Sequence, residues 1–149
     1  MATPSALATL IDLANKEADD AAQKLGETVR TREEAAQKLD LLLQYRNDYA
    51  QRCQSNLANG ISTTHLNNFH VFMHKLDQAI AGQQQVVGEA SQRAEQARIA
   101  WMACEQKKMS FVTLSGRADK AQIRHELRRD QKQNDEHAAR RVQPKSPSH

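Results

Sequence analysis

The chain has 149 residues, of which 26% are charged and only 4% aromatic, with a formal net charge of +3 and a mean hydropathy of −0.78. Three Phe, two Tyr and one Trp cannot fill a multilayer interior, so a thick-cored globular enzyme is excluded and stability must come from a thin seam. Ala, Gln, Glu, Lys, Arg and Leu dominate, which is the composition of a long helix or coiled coil.

The opening MATPSALATL lacks the basic and apolar regions of a secretory signal, and no run of about 18 apolar residues occurs, so a soluble, cytosolic protein is expected. Thr3 followed by Pro4 reads as an N-cap and first helical residue, because proline's missing N–H is an orphan donor there anyway. No proline then occurs before Pro144, which permits helices far longer than the ordinary three or four turns. A three-four repeat runs through Leu7, Ile11, Ala14, Ala18, Ala21, Leu25, Thr28, Arg32, Ala35, Leu39, Leu42, Arg46, Tyr49 and Cys53, broken only at Thr28, Arg32 and Arg46. The spacing predicts a helix over 4–57.

Asn59-Gly60 supplies the left-handed backbone that ends a helix, and Ser62, Thr63 or Thr64 can cap the next one, which gives a turn over 58–63. The second stripe takes Leu66, Phe69, Met73, Leu76, Ile80, Gln83, Val87, Ala90, Ala94, Ala97, Trp101, Cys104, Lys108 and Phe111. It is interrupted only at Gln83 and Lys108, and the helix is predicted over 64–141. A period of 3.5 keeps such a stripe on one partner only if the helices wind around each other left-handed. So short a connection favours antiparallel neighbours within one chain. The expected fold is therefore all-α: a single domain over 1–149, a two-helix antiparallel coiled-coil hairpin with an overhanging C-terminal helix and a disordered tail over 142–149.

If the turn centres near Gly60, facing residues have numbers that sum to about 121. Cys53 then faces the neighbourhood of Asn68 and Cys104 that of Glu17, roughly 50 Å apart, which leaves two reduced thiols on the seam rather than a disulfide. Helix one is used up near residue 116, so the rest of helix two has no hairpin partner. From Arg117 onward nine Lys or Arg stand against five Asp or Glu, whereas residues 1–116 hold twelve against thirteen. A basic overhang invites a partner, although a solvated charged face is the plainer reading.

His70 and His74 have metal-ligand spacing, but Asp77 alone does not complete a site, so no metal is expected. No phosphate loop or nucleophile elbow appears, and neither an enzyme nor a cofactor is expected. Trp101 is on the seam, where it either packs or anchors a partner. Apolar residues beyond the seam cluster near the turn: Leu41, Leu43 and Tyr45 on one helix, Val71, Phe72 and Ala79 on the other. The register sets Leu42 level with Ala79, Tyr45 with Leu76 and Tyr49 with Phe72. These six form either a protein-binding patch or a wider core where the helices diverge.

The segment GISTTHLNNFHVFMHKLDQAI at 60–80, with Tyr45 and Tyr49 ahead of it, resembles the FliJ family of flagellar export proteins. ALATLIDLANKEADDAAQKLG near the start resembles the family's opening helix, and RRDQKQNDEHAARR at 128–141, with Asp135-Glu136, resembles its charged ending. The resemblance implies a small non-enzymatic component of the bacterial flagellar type III export apparatus, cytoplasmic or peripheral at the inner membrane, serving flagellum assembly, motility and chemotaxis. It implies as partners the export ATPase FliI, its regulator FliH, the export gate component FlhA and export chaperones, while the hairpin itself predicts a monomer when free. It also implies a stalk similar to the central stalk of rotary ATPases. Leu42, Tyr45, Tyr49, Phe72, Leu76, Ala79 and Gln83 would meet the gate. Leu7, Ile11, Leu25, Phe111, Arg117, Lys120, Arg124, Arg128, Arg129 and Lys132 would meet the ATPase ring. The other readings are a basic coiled coil that binds nucleic acid and a homodimeric spacer. Against the first, acidic residues interrupt the basic tail and no aromatic residue follows Phe111 to stack on bases.

Overall fold

The computed structural model describes residues 3–142, and the tail expected beyond them lies outside the described residues. Two α-helices account for nearly all of it: α1, Pro4–Ala58, and α2, Thr63–Val142. No strand occurs among the described residues. The chain divides into two compact units: one is Lys16–Glu105, and the other takes the described residues of Met1–Asn15 and Gln106–His149.

Each helix end has a local cause. Thr3 Oγ1 accepts from Ala6 N–H at 3.2 Å while its carbonyl accepts from Leu7 N–H at 3.0 Å, so Thr3 is the N-cap and Pro4 the first helical residue. At the other end of α1, Asn59 N–H donates to Ser55 O and Gly60 N–H to Leu57 O, and Gly60 turns the chain at φ 79°. Only the glycine of the Asn59-Gly60 pair takes the left-handed region, since no other described residue has positive φ. Of the three cap candidates it is Ser62 that opens α2: its Oγ accepts from His65 N–H at 3.3 Å and its carbonyl from Leu66 N–H at 3.1 Å.

Replacing glycine by alanine should therefore have opposite signs in the turn and inside α2. A Cβ at Gly60 would meet nothing within 4 Å, so Gly60→Ala costs only the left-handed backbone, about 1–2 kcal/mol. Gly82 is inside α2 with equally open space, and Gly82→Ala should stabilise by about 0.5–1 kcal/mol. Chemical denaturation of the two variants should move the midpoint down and up respectively.

In Lys16–Glu105 the helices run antiparallel, with Tyr49 against Phe72, Arg46 against Asp77 and Gln83 against Ala35. The first of these pairs has the expected sum of 121, and the others fall within three of it. The core is almost bare of large side chains: Ala18 is 1% exposed, Ala94 2%, Ala90 3%, Ala97 5% and Ala35 6%. Alanine lets two backbones approach closely, and nothing larger than Leu76 and Ile80, both in the first third of α2, is buried with it. Cys53 is buried and Cys104 half-buried, both as free thiols. Every position of the second stripe is buried or half-buried, and in the first only Arg32 stays in solvent. Trp101 is half-buried at its seam position. In the other unit, Leu7, Ile11 and Phe111 are half-buried and Ala14 is buried, while every residue from Arg117 to Val142 is exposed.

Candidate protein-binding site

The longest run of ring contacts is built where α1 approaches the turn. Tyr49 is its hub, 4.6 Å from Phe72, 5.0 Å and nearly parallel to Phe69, and 6.4 Å from Tyr45 between ring centroids. Tyr45 meets Phe72 edge-on at 6.1 Å. Spacings of this kind favour aromatic pairs beyond the area they bury. Helical geometry explains the grouping, because Tyr45 and Tyr49 are one turn apart on α1 and Phe69 and Phe72 three apart on α2.

The seven residues expected at the export gate all fall in Lys16–Glu105, but they differ in what they offer. Tyr45, at 50% exposure, and Ala79 present themselves to solvent. Leu42, Tyr49 and Phe72 are half-buried, and Leu76 is buried at 7%. Gln83 is half-buried too, and its Nε2 donates to the Ala35 carbonyl at 2.9 Å, so its amide ties α2 to α1. Leu41, Leu43 and Val71 are exposed rather than part of a wider core. The face around Tyr45 is therefore a shallow apolar surface, with Leu76 and Gln83 beneath it as support.

Two features of this region are absent from the sequence-based set. Phe69 stacks on Tyr49, although its seam position alone marked it as packing. Arg46 Nε donates to Asp77 Oδ1 across the helices, and the guanidinium holds the Asp77 carboxyl below its ordinary range through that hydrogen bond, with His74 a minor contributor. Opposite charges at numbers summing to 123 were the available signal. Both side chains are close to half exposed, so the pair contributes modestly. Because the folded carboxyl titrates lower than the unfolded one, its contribution is present above the ordinary carboxylate range and is lost as pH falls through the depressed value. An NMR titration of Asp77 should find its midpoint below the ordinary carboxylate range, and Arg46→Ala should restore it.

Asp77 is thus engaged by Arg46, His70 and His74 are exposed, and no group of three His, Cys, Asp or Glu among the described residues could hold a metal ion. No helix of the described residues is long and apolar enough to cross a membrane. The residues expected at the ATPase ring fall in both units: Leu25 belongs to Lys16–Glu105 and the others to the second unit. Leu7, Ile11, Leu25 and Phe111 are half-buried in the seam, whereas Arg117, Lys120, Arg124, Arg128, Arg129 and Lys132 are all exposed.

Comparison with known proteins gives this helical pair a family. The chain is 36% identical over 140 residues to the flagellar FliJ protein of Escherichia coli (strain K12), an alignment that covers 94% of this chain and 95% of the relative. It is 35% identical over 140 residues to the flagellar FliJ protein of Salmonella typhi, with the same coverage. The family model described as flagellar FliJ protein matches residues 4–146, nearly everything from the cap at Thr3 to beyond the end of α2, and the chain belongs to that family.

Proposed function

We propose that the chain is a non-enzymatic, stalk-like component of the bacterial flagellar type III export apparatus, binding the export ATPase FliI at one surface and the export gate component FlhA at another. Membership of the FliJ family supports a role in flagellar export. The observation that carries the finer reading is the aromatic face where the exposed Tyr45 meets the half-buried Phe72, with Leu41, Leu43 and Val71 exposed around it. Surfaces of that kind on water-soluble helices serve protein partners.

The gate surface consists of Leu42, Tyr45, Tyr49, Phe72 and Ala79, positioned from below by Leu76 and Gln83. The residues proposed to meet the ring are the half-buried Leu7, Ile11 and Phe111 with the exposed cations Arg117, Lys120, Arg124, Arg128, Arg129 and Lys132 in one unit, and the half-buried Leu25 in Lys16–Glu105. Exposed cations of this sort meet acidic loops and mainly set encounter rate and register. FliH and the export chaperones are further partners in this reading, and the protein works in the cytoplasm, peripheral to the inner membrane at the flagellar base. Engagement of the ring and of the gate by one chain couples ATPase turnover to protein export, flagellum assembly and motility.

The test is FliI ATPase activity, and its oligomeric state, with and without the protein. Full-length protein should stimulate turnover and a chain lacking residues 117–149 should not. Unaltered stimulation by the shortened chain would refute the ring assignment.

A further inference from the structure

Beside the turn, a cavity of about 540 Å³ opens between the end of α1 and the start of α2, within the range of natural ligand pockets. Its wall is aromatic, since it includes the stacked pair Tyr49 and Phe69, and the buried Cys53 adds a further apolar surface. Its other lining groups are of a different kind. Arg52 and His65 line it, His65 with its Nδ1 2.8 Å from Ser62 Oγ, and Asn56 adds a carboxamide. No Asp or Glu is among the lining residues.

We propose that this cavity is a docking pocket for an acidic segment of a partner protein, one that places a single aromatic or long aliphatic side chain against Tyr49 and Phe69 with carboxylates beside Arg52 and His65. The apolar wall supplies the area that an anchor side chain needs, and its position fits a hot-spot pocket better than a flat contact. The Arg52 guanidinium, with no carboxylate among the lining residues, selects a carboxylate beside the anchor, and the His65 imidazole adds a ring nitrogen for a hydrogen bond. A nucleic acid would also bring anions and flat rings. It is the poorer fit, because one guanidinium and one imidazole cannot follow a phosphate backbone. The assignment uses neither the gate nor the ring residues except Tyr49, which serves both faces of its own ring system.

The experiment uses the full chain and fluorescence anisotropy of a fluorescein-labelled short peptide that carries one Trp among Asp and Glu residues. Comparators are the same peptide with Lys and Arg in place of the acids, the same peptide with Ala for Trp, and a labelled thymidine oligonucleotide. The acidic Trp peptide should bind about tenfold tighter than each comparator. Arg52→Glu, which reverses the rim charge, and Asn56→Trp, which fills the cavity, should each remove that preference while helicity by circular dichroism is unchanged, since both residues are exposed. Equal binding of the basic peptide, tighter binding of the oligonucleotide, no binding at all, or preference retained in both variants would overturn the pocket. Because FliI and FlhA take no part, these outcomes are independent of the ring and gate assignments.

Discussion

Ala35→Asp should destabilise the paired helices by about 2–4 kcal/mol, while Ala36→Asp, one residue along the same helix, should change stability by no more than about 1 kcal/mol. Both replacements make the same sacrifice of helix propensity, roughly 0.5–0.7 kcal/mol, so the difference between them isolates the seam. Ala35 is 6% exposed, and its carbonyl accepts the Gln83 amide; Ala36 is exposed. A carboxylate at 35 must either lose its water or push α2 away, and the second outcome also breaks the Gln83 bond. At position 36 the new charge has Arg32 and Asp40 one turn to either side, which offset each other. Thermal melts followed at 222 nm decide the matter. If the two variants melt together, the helices do not depend on the alanine seam and the packing described here is wrong.

That contrast also shows what periodicity can and cannot carry. The three-four repeat placed Ala18, Ala35, Ala90, Ala94 and Ala97 on the seam because the backbone alone dictates which residues share a helical face. The same rule located Thr3 as a cap, since hydroxyl, proline and helix start are local matters. The polar breaks in the repeat were less legible. Arg46 and Gln83 interrupt the stripe as letters, yet both are half-buried with cross-helix partners, Asp77 and the Ala35 carbonyl. Arg32 interrupts it and stays in solvent. Period cannot distinguish these cases, because a partner on α2 depends on register to within one turn and on where a long side chain ends.

The candidate site was legible in the same partial way. Tyr45, Tyr49 and Phe72 were grouped by register, and their rings do meet. Leu76, which the repeat also set on the seam, is buried there at 7% exposure and so supports the patch from beneath rather than facing solvent. Phe69 entered the ring system unannounced because stacking on Tyr49 is a contact between elements. The cavity near Gly60 had no signature at all, as it is bounded by residues from two helices and a turn whose individual identities are ordinary.

Tyr45 and Tyr49 should separate binding from stability. Tyr45 is half exposed, stacks on Tyr49 and meets Phe72 edge-on, so Tyr45→Ala should cost about 1–2 kcal/mol, less than loss of the central ring. Tyr49 is half-buried and central to three ring contacts, each worth about 0.5–1.5 kcal/mol beyond its buried area, so Tyr49→Ala should cost about 2–4 kcal/mol. If the gate binds where proposed, Tyr45→Ala combined with Phe72→Ala should weaken capture of FlhA by about tenfold or more with helicity retained, because exposed aromatic anchors dominate such interfaces. Tyr49→Ala should weaken capture as well, partly through its own missing contact and partly through loss of folded structure, and lowering the temperature should recover the second part. Recovery on cooling is not expected for Tyr45→Ala, whose deficit is a missing contact. Full FlhA capture by the Tyr45→Ala/Phe72→Ala chain would move the gate off this face, and a melt of Tyr49→Ala indistinguishable from the parent would remove Tyr49 from its place as the hub.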